Sequence, residues 1–218
     1  MLVVTTWLQS HEGLKGMAVT GVLPELALRS QDATWNRARW ETLPADGNRY
    51  EVIDGVLYMS TAPSFFHQWI VRQLILAQHE QVDRQGLGTT IMAPIGLFMP
   101  GCDPVQPDLL VVGAADTDII RGGRVEGIPV LIVEVQSPGN PTYDSRTKRE
   151  AYARAGVPEY WVVRPASRDV LVCQRPDRTL GDFAHTELVG SDAELILPAL
   201  FVRIRVGSVF DGAPDTTL

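Results

Sequence analysis

The stretch Val130-Leu131-Ile132-Val133-Glu134-Val135 decides the fold, because five of its six residues are apolar. A continuous apolar run of this length predicts a central β-strand that is covered on both faces of its sheet. Glu134 interrupts the run, and an ionised carboxylate inside such a strand is costly unless it is paired or binds a cation. Strand alternation places Glu134 and Gln136 on one face, near the C-terminal end of the strand, where open α/β sheets commonly bind ligands.

The segment after this strand predicts a helix from about residue 144 to residue 155, which Gly156 ends. On a helical wheel, one side of this helix carries Asp144, Lys148, Ala151, Tyr152 and Ala155. Lys148 therefore lies in the middle of the inward face, and only a short turn separates its helix from Glu134. A structural Lys–Glu ion pair and a functional site both explain this placement, and the two interpretations stay open.

Asp108 adds a third polar residue to Glu134 and Lys148, and it lies at the start of an apolar strand. It follows Pro107 and precedes Leu-Leu-Val-Val, and alone it is typical of an ordinary strand start. Taken together, Asp108, Glu134 and Lys148 suit a hard-cation site, because Mg²⁺ (or Mn²⁺) prefers oxygen ligands and leaves room for water and phosphate. A lysine beside the cation could orient or deprotonate a water, or stabilise charge in the transition state.

The remaining pattern predicts an α/β fold with a mixed central sheet flanked by helices, an N-terminal hairpin and C-terminal strands. The Asp54-Gly55 dipeptide between two apolar runs predicts a two-residue hairpin turn. Ser64 is a candidate cap for a long helix to about Val82, and Thr34 for a short helix over residues 35–43. Residues 183–210 predict two short strands. Residues 1–33 form an expected extension packed on a single domain that spans residues 34–218.

Composition limits the possible functions. The chain has 218 residues and two cysteines without Cys-x-x-Cys spacing, so a zinc ribbon or a redox motif is not indicated. Without a signal sequence or an apolar run of about 20 residues, a cytoplasmic protein outside the membrane is expected. The net charge of −7 disfavours a broad DNA-binding surface. One possible basic region, otherwise simply solvated charges, contains Arg121, Arg124, Arg146, Lys148, Arg149 and Arg154.

The ordered motifs resemble those of the Uma (Uma-two) family, within the restriction-endonuclease-like superfamily whose signature is Pro-Asp…(Asp/Glu)-x-Lys. The resemblance covers roughly residues 34 to 210. The matching pieces are Tyr50-Glu51-Val52-Ile53-Asp54-Gly55, His67, Pro107-Asp108-Leu109, Glu134-Val135-Gln136-Ser137-Pro138, Asp144…Lys148…Tyr152, and Gly156-Val157-Pro158-Glu159-Tyr160-Trp161.

The resemblance implies roles for particular residues. Asp108 and Glu134 would be metal ligands, aided by the Val135 carbonyl. The superfamily lysine would stand at position 136, where this chain has Gln136, and the family pattern supplies it instead as Lys148.

Two further residues have a functional and an ordinary interpretation. Glu51 is either an additional acid of the site or an ordinary hairpin residue, and His67 is either a site residue or a structural histidine. The resemblance also implies DNA as the substrate and, by analogy with related nucleases, a homodimer.

Two functions remain open from the sequence. The first is a Mg²⁺-dependent endonuclease that hydrolyses phosphodiester bonds of DNA. The second is a non-catalytic protein that keeps the nuclease fold for binding or assembly, which the acidic net charge and Gln136 favour. A serine hydrolase, a Rossmann protein and a P-loop protein are disfavoured, because neither a Gly-x-Ser-x-Gly elbow nor a glycine-rich phosphate loop is present.

Overall fold

The computed structural model describes residues 17–19, 28–60, 62–137 and 141–213. Most of residues 1–33 lie outside the described residues, so the expected N-terminal extension and the domain boundary at residue 34 stay predictions. Within the described part, no helix is long and apolar enough to cross a membrane.

A six-stranded mixed sheet forms the centre of the fold, in the spatial order β14-β13-β12-β11-β8-β5. The strands are β5 (Gly88–Met92), β8 (Leu109–Gly113), β11 (Leu131–Val135), β12 (Glu159–Arg164), β13 (Asp169–Asp177) and β14 (Asp182–Gly190). Strand β11 pairs parallel with β12 and antiparallel with β8, and the other neighbours are antiparallel. The prediction of a central strand in a mixed sheet is confirmed.

Each face of β11 is covered by a different layer, as its apolar sequence predicts. On one face Leu131 and Val133 pack into the core of α2 (Phe65–Gln78), which begins at the predicted cap, where Ser64 Oγ accepts a hydrogen bond from the His67 N–H. On the other face Ile132 packs into the core that contains Tyr152 of α3 (Arg149–Ala155). Glu134 follows the alternation and points to this second face.

The predicted helix over residues 144–155 forms, but its first turn is wider than an α-helix. Tyr143–Lys148 is a π-helical turn that leads into α3, and Gly156 ends the helix with a φ of +96°. Short π-helical segments are rare and frequently occur at functional sites. The helix α2 also ends in such a turn, His79–Asp83.

A second sheet of short strands lies against the α3 face, in the order β1-β2-β4-β3-β7-β6-β10-β9. Its strands are β1 (Met17–Val19), β2 (Leu28–Ser30), β3 (Arg49–Ile53), β4 (Val56–Ser60), β6 (Leu97–Met99), β7 (Cys102–Val105), β9 (Ile120–Arg121) and β10 (Arg124–Glu126). The predicted hairpin is β3–β4, and its turn residues Asp54 and Gly55 have φ values of +49° and +79°. Positive φ at both central positions is the geometry that an Asp-Gly hairpin turn requires.

Two predicted elements differ in the structure. The short helix is α1 (Arg37–Trp40), and Asn36 caps it rather than Thr34, which instead hydrogen-bonds to Asp32. The C-terminal tail forms three strands instead of two. Strand β14 is one of them, because it extends the six-stranded sheet, and β15 (Glu194–Leu197) and β16 (Val202–Arg205) form a separate hairpin.

We predict that Gly55→Ala destabilises the protein more than Gly86→Ala. Both glycines have positive φ, but a Cβ at Gly55 would lie 2.3 Å from the Ala33 carbonyl oxygen, whereas a Cβ at Gly86 meets nothing within 4 Å. The backbone conformation alone costs about 1–2 kcal/mol for a residue with a Cβ, and Gly55→Ala should cost clearly more because of the collision. Urea denaturation measures both free energies of unfolding, and equal losses would contradict the prediction.

Candidate active site

Four elements bring their polar side chains to one place between the two sheets. Glu51 comes from β3, Asp108 from the residue before β8, Glu134 from β11 and Lys148 from the π-helical turn. The exposed fraction of each side chain is only 2–4%. Buried charges must be paired or bound to a cation, so these contacts determine what the cluster can do.

Lys148 lies at the centre of the cluster. Its Nζ is 2.8 Å from Glu134 Oε1 and 3.1 Å from Glu51 Oε1. Asp144 Oδ1 is farther away, at 3.9 Å. Burial lowers the pKa of Lys148, but the negative charges of Glu134, Glu51 and Asp144 outweigh burial and raise it. The side chain is therefore a cation.

Glu134 shares one oxygen between two donors. Its Oε1 accepts hydrogen bonds from Lys148 Nζ and, at 3.1 Å, from the Tyr152 hydroxyl. Burial raises the pKa of Glu134 well above its ordinary value even though Lys148 opposes the shift. Burial likewise raises the pKa of Asp144 to about 7. Burial thus makes these two carboxyl groups harder to ionise than ordinary ones, although Lys148 favours their charged form.

Asp108 has the opposite electrostatic environment. Its Oδ1 accepts a hydrogen bond of 2.9 Å from Arg49 Nη1, and its Oδ2 one of 2.8 Å from the Val135 N–H. The His67 Nε2 lies 3.0 Å from the same Oδ2. Burial alone would raise the pKa of Asp108, but the hydrogen bond from His67 and the positive charges of Arg49 and Lys148 hold it below its usual range.

Glu51 connects the hairpin to the rest of the cluster. Its Oε1 accepts a hydrogen bond of 2.7 Å from the Gln106 N–H, and its Oε2 one of 3.0 Å from the Tyr143 hydroxyl. The same Oε1 is the second partner of Lys148. The hairpin thus contributes a carboxylate whose position is fixed from three directions.

The structure brings together four of the residues singled out in the sequence, namely Glu51, Asp108, Glu134 and Lys148. It does not bring Gln136 to them, because the Gln136 side chain donates to the Pro141 carbonyl at 3.0 Å. The main chain of Val135 reaches Asp108 through its N–H. His67, for which two interpretations were open, lies directly against Asp108.

The sequence left two interpretations of the possible basic region, and the structure favours simply solvated charges, because acidic partners pair with its arginines. Four of its arginines pair at 2.7–3.1 Å, as Arg121–Glu126, Arg124–Glu41, Arg146–Glu150 and Arg149–Asp182, and Arg154 pairs with Asp54. Lys148 is buried. Solvated, paired charges describe these residues better than a nucleic-acid surface.

Sequence reasoning missed two residues of the cluster, Arg49 and Tyr143. Arg49 lies two positions before Glu51 in the same strand, so strand alternation would have placed both on one face. Tyr143 lies five positions before Lys148, and that spacing faces the lysine only in a π-helical turn. A wheel with 3.6 residues per turn does not show it.

The donor set fits a hard divalent cation in chemistry and in charge. Four carboxylates, from Glu51, Asp108, Glu134 and Asp144, face two side chains that are always cationic, Lys148 and Arg49. Burial is the main cause of the raised pKa values of Glu134 and Asp144, and the neighbouring carboxylates raise them further. Among the described residues, however, no three acidic, histidine or cysteine side chains stand in metal-binding arrangement, and Lys148 Nζ bonds to both glutamates.

Comparison with known proteins points to the same family as the sequence motifs. A family model named Uma2, with the description "Putative restriction endonuclease", matches residues 37–205. Among solved structures, the chain is similar to "a putative nuclease belonging to DUF820 from Anabaena variabilis ATCC 29413", with a TM-score of 0.68 and 16% identity over 81% of this chain and 97% of that chain. At this identity the likeness shows the fold alone. No curated protein matches.

We predict that Lys148→Met destabilises the protein far more than Arg146→Met, two residues away. Removing a buried partner leaves Glu134 and Glu51 without their cation, which typically costs about 3–5 kcal/mol. Arg146 forms an exposed pair with Glu150, and such pairs contribute about 0–1 kcal/mol. Free energies of unfolding from urea denaturation test this difference.

The double variant Glu134→Gln/Lys148→Met is the control for the cause. Because it removes both charges, it should lose less stability than the sum of the two single variants. Additive losses, or a Lys148→Met variant as stable as Arg146→Met, would contradict the electrostatic explanation.

Proposed function

The chain belongs to the Uma2 family, described as "Putative restriction endonuclease", and from this membership we propose that it is a Mg²⁺-dependent endonuclease that hydrolyses phosphodiester bonds of DNA. The observation that carries the proposal is the buried cluster in which carboxylates outnumber cations around Glu134 and Lys148. The fold, shared with a structure described as "a putative nuclease", supports it. The homodimer implied by the sequence resemblance stays a prediction.

Asp108 and Glu134 are the residues that would hold the ion, with the Val135 carbonyl as a further ligand. When bound, Mg²⁺ lowers the pKa of a coordinated water and neutralises charge that develops on the phosphate. Asp108 suits this role because it is ionised throughout the neutral pH range. Arg49 and His67 hold its two oxygens in fixed positions.

Lys148 would act as a cation rather than as a base. Its pKa is raised by Glu134, Glu51 and Asp144, so it does not release a proton at neutral pH. A fixed ammonium in a buried site stabilises negative charge strongly, because little reorganisation is needed when the charge develops. In the superfamily signature this positive charge comes from a strand lysine, at the position of Gln136. Here Lys148 would supply it from the π-helical turn.

Glu51 and Tyr143 would position Lys148. Glu51 accepts hydrogen bonds from the Gln106 N–H and from the Tyr143 hydroxyl, and it holds the ammonium through its remaining contact at 3.1 Å. The Tyr143 ring also lies 5.0 Å from Lys148 Nζ, within the range of a cation–π contact. Contacts with two glutamates and with one aromatic ring restrict the orientation of the lysine side chain.

A second candidate function is binding without cleavage. It is favoured by the contacts of Lys148 with both glutamates, which already satisfy part of the ligand set that a metal would need. Gln136, which is turned to Pro141, adds to this alternative. A thermal melt with and without metal distinguishes the two functions, because only the metal-dependent enzyme is expected to be stabilised against unfolding by Mg²⁺ or Mn²⁺.

We expect Mn²⁺ or Mg²⁺ to raise the melting temperature of the wild-type protein and to start cleavage of DNA. A ligand that binds only the folded state stabilises it by an amount that grows with its concentration. Asp108→Asn should abolish both the metal-induced shift and cleavage, because it removes a carboxylate ligand without changing the size of the side chain. Differential scanning fluorimetry and a gel assay with labelled DNA measure the two effects.

Asp118→Asn is the matched control, since this exposed aspartate lies beyond the opposite end of β8 and should leave both effects unchanged. A wild-type protein without a metal-induced shift and without cleavage would overturn the nuclease and leave the binding function. An Asp108→Asn variant that cleaves as fast as the parent would remove Asp108 from the mechanism.

A further inference from the structure

A pocket of about 270 Å³ opens next to Asp108, at the side of the buried cluster. The pocket lies between the turn before β3, the start of α2 and the connection from β5 to β6. Lys148, Glu134 and Glu51 do not line it, whereas Asp108, His67 and Arg49 do. A molecule that approaches the cluster through this pocket therefore meets the Asp108 side first.

Arg49 is the cation of the cluster that this pocket makes accessible. Its side chain is 21% exposed, against 2% for Lys148. Its hydrogen bonds to described residues, to Asp108 and to the Gln106 carbonyl, all use Nη1. The other nitrogens of the guanidinium fork remain for an incoming anion, and the planar fork matches the geometry of a phosphate.

Part of the lining of the pocket is apolar and exposed. Met92 is 58% exposed, and Pro94 beside it is exposed as well. Gln68 also lines the pocket, and its side-chain amide has no hydrogen-bond partner among the described side chains and backbone. Apolar side chains beside an unpaired amide suit a nucleobase, which presents two flat faces and a polar edge.

The volume of the pocket limits what can enter. The volume corresponds to about nine water molecules at ~30 Å³ each. The pocket therefore has room for one nucleotide but not for a duplex. The surface outside the pocket does not compensate, since the net charge is −7 and the surface arginines discussed above are paired with acids. Recognition of DNA must then be concentrated in the pocket instead of following the phosphate backbone.

We propose that this pocket is a subsite for a single unpaired nucleotide, whose phosphate is bound by Arg49 and whose base packs against Met92 and Pro94 within reach of Gln68. The substrate class is therefore DNA with an unpaired nucleotide next to the cleaved bond, either single-stranded or with one base extruded. This inference rests on the proposed function for its substrate. Its binding part is testable without cleavage, because a mononucleotide contains no bond that an endonuclease cuts.

The test compares three probes, 5′-deoxyadenosine monophosphate, deoxyadenosine and inorganic phosphate, by isothermal titration calorimetry in buffer with Mg²⁺. We expect the mononucleotide to bind more tightly than either of its parts. Equal affinity for the mononucleotide and for phosphate would overturn the base subsite, and no binding of the mononucleotide would overturn the inference as a whole.

Two pairs of surface variants locate the binding. Gln68→Glu adds a negative charge to the pocket and should weaken mononucleotide binding roughly fivefold, as expected for like charges near each other in a solvated site. Gln85→Glu adds the same charge in the turn before β5, outside the pocket lining, and should have no effect. Met92→Ala should weaken binding of both the mononucleotide and deoxyadenosine, whereas Leu180→Ala, at a residue that is also exposed but does not line the pocket, should not. Equal effects within a pair would overturn the location.

A parallel cleavage assay separates this inference from the proposed function. Single-stranded oligonucleotides should be cleaved faster than duplexes of the same sequence, and Met92→Ala should reduce that preference. Cleavage of duplex DNA without mononucleotide binding would overturn the subsite and keep the nuclease. Mononucleotide binding that follows the variant pattern, without cleavage of any DNA, would support the subsite and overturn the nuclease.

Discussion

The buried ion pair between Glu134 and Lys148 is the interaction on which the rest of the structure depends. A carboxylate in the middle of an apolar sheet is unfavourable by itself, and its position is tolerated only because a helix returns over the strand and delivers an ammonium at 2.8 Å. The lysine in turn needs Glu51, which requires the β3–β4 hairpin to stand against the same face. The sheet, the π-helical turn and the hairpin are therefore connected through one buried charge, and the site lies where they meet.

Electrostatics divides this site into two parts with different properties. On the Lys148 side, Glu134 and Asp144 have raised pKa values because burial is only partly offset. On the Asp108 side, Arg49 and His67 lower the pKa of the aspartate, and the site opens to solvent. A carboxyl group that stays ionised thus stands at the entrance, and those that resist ionisation stand inside. An anionic substrate that enters from the Asp108 side would meet Arg49 first.

Much of this arrangement could be predicted from the sequence, since it follows from simple periodicity. The apolar run around Glu134 identified the central strand, and the helical wheel placed Lys148 on the inward face. The Asp54-Gly55 dipeptide identified the hairpin that carries Glu51. Other features depend on tertiary contacts that no local pattern encodes: the Arg49–Asp108 pair joins residues 59 positions apart. Tyr143 was missed because the first turn of its helix is π-helical, and the C-terminal strands because β14 extends a sheet rather than starting a new hairpin.

The hydrogen bond between Tyr143 and Glu51 joins residues 92 positions apart in the chain. Closing such a long loop has a large entropic cost, and contacts of this kind slow folding and form only when distant segments have docked. The ionic cluster consequently cannot assemble in a nascent or partly folded chain, in which the hairpin and the helix are still apart. Any activity that needs Lys148 held by Glu51 is therefore absent until the chain has completed its fold. A partly folded chain would be inactive for this reason alone.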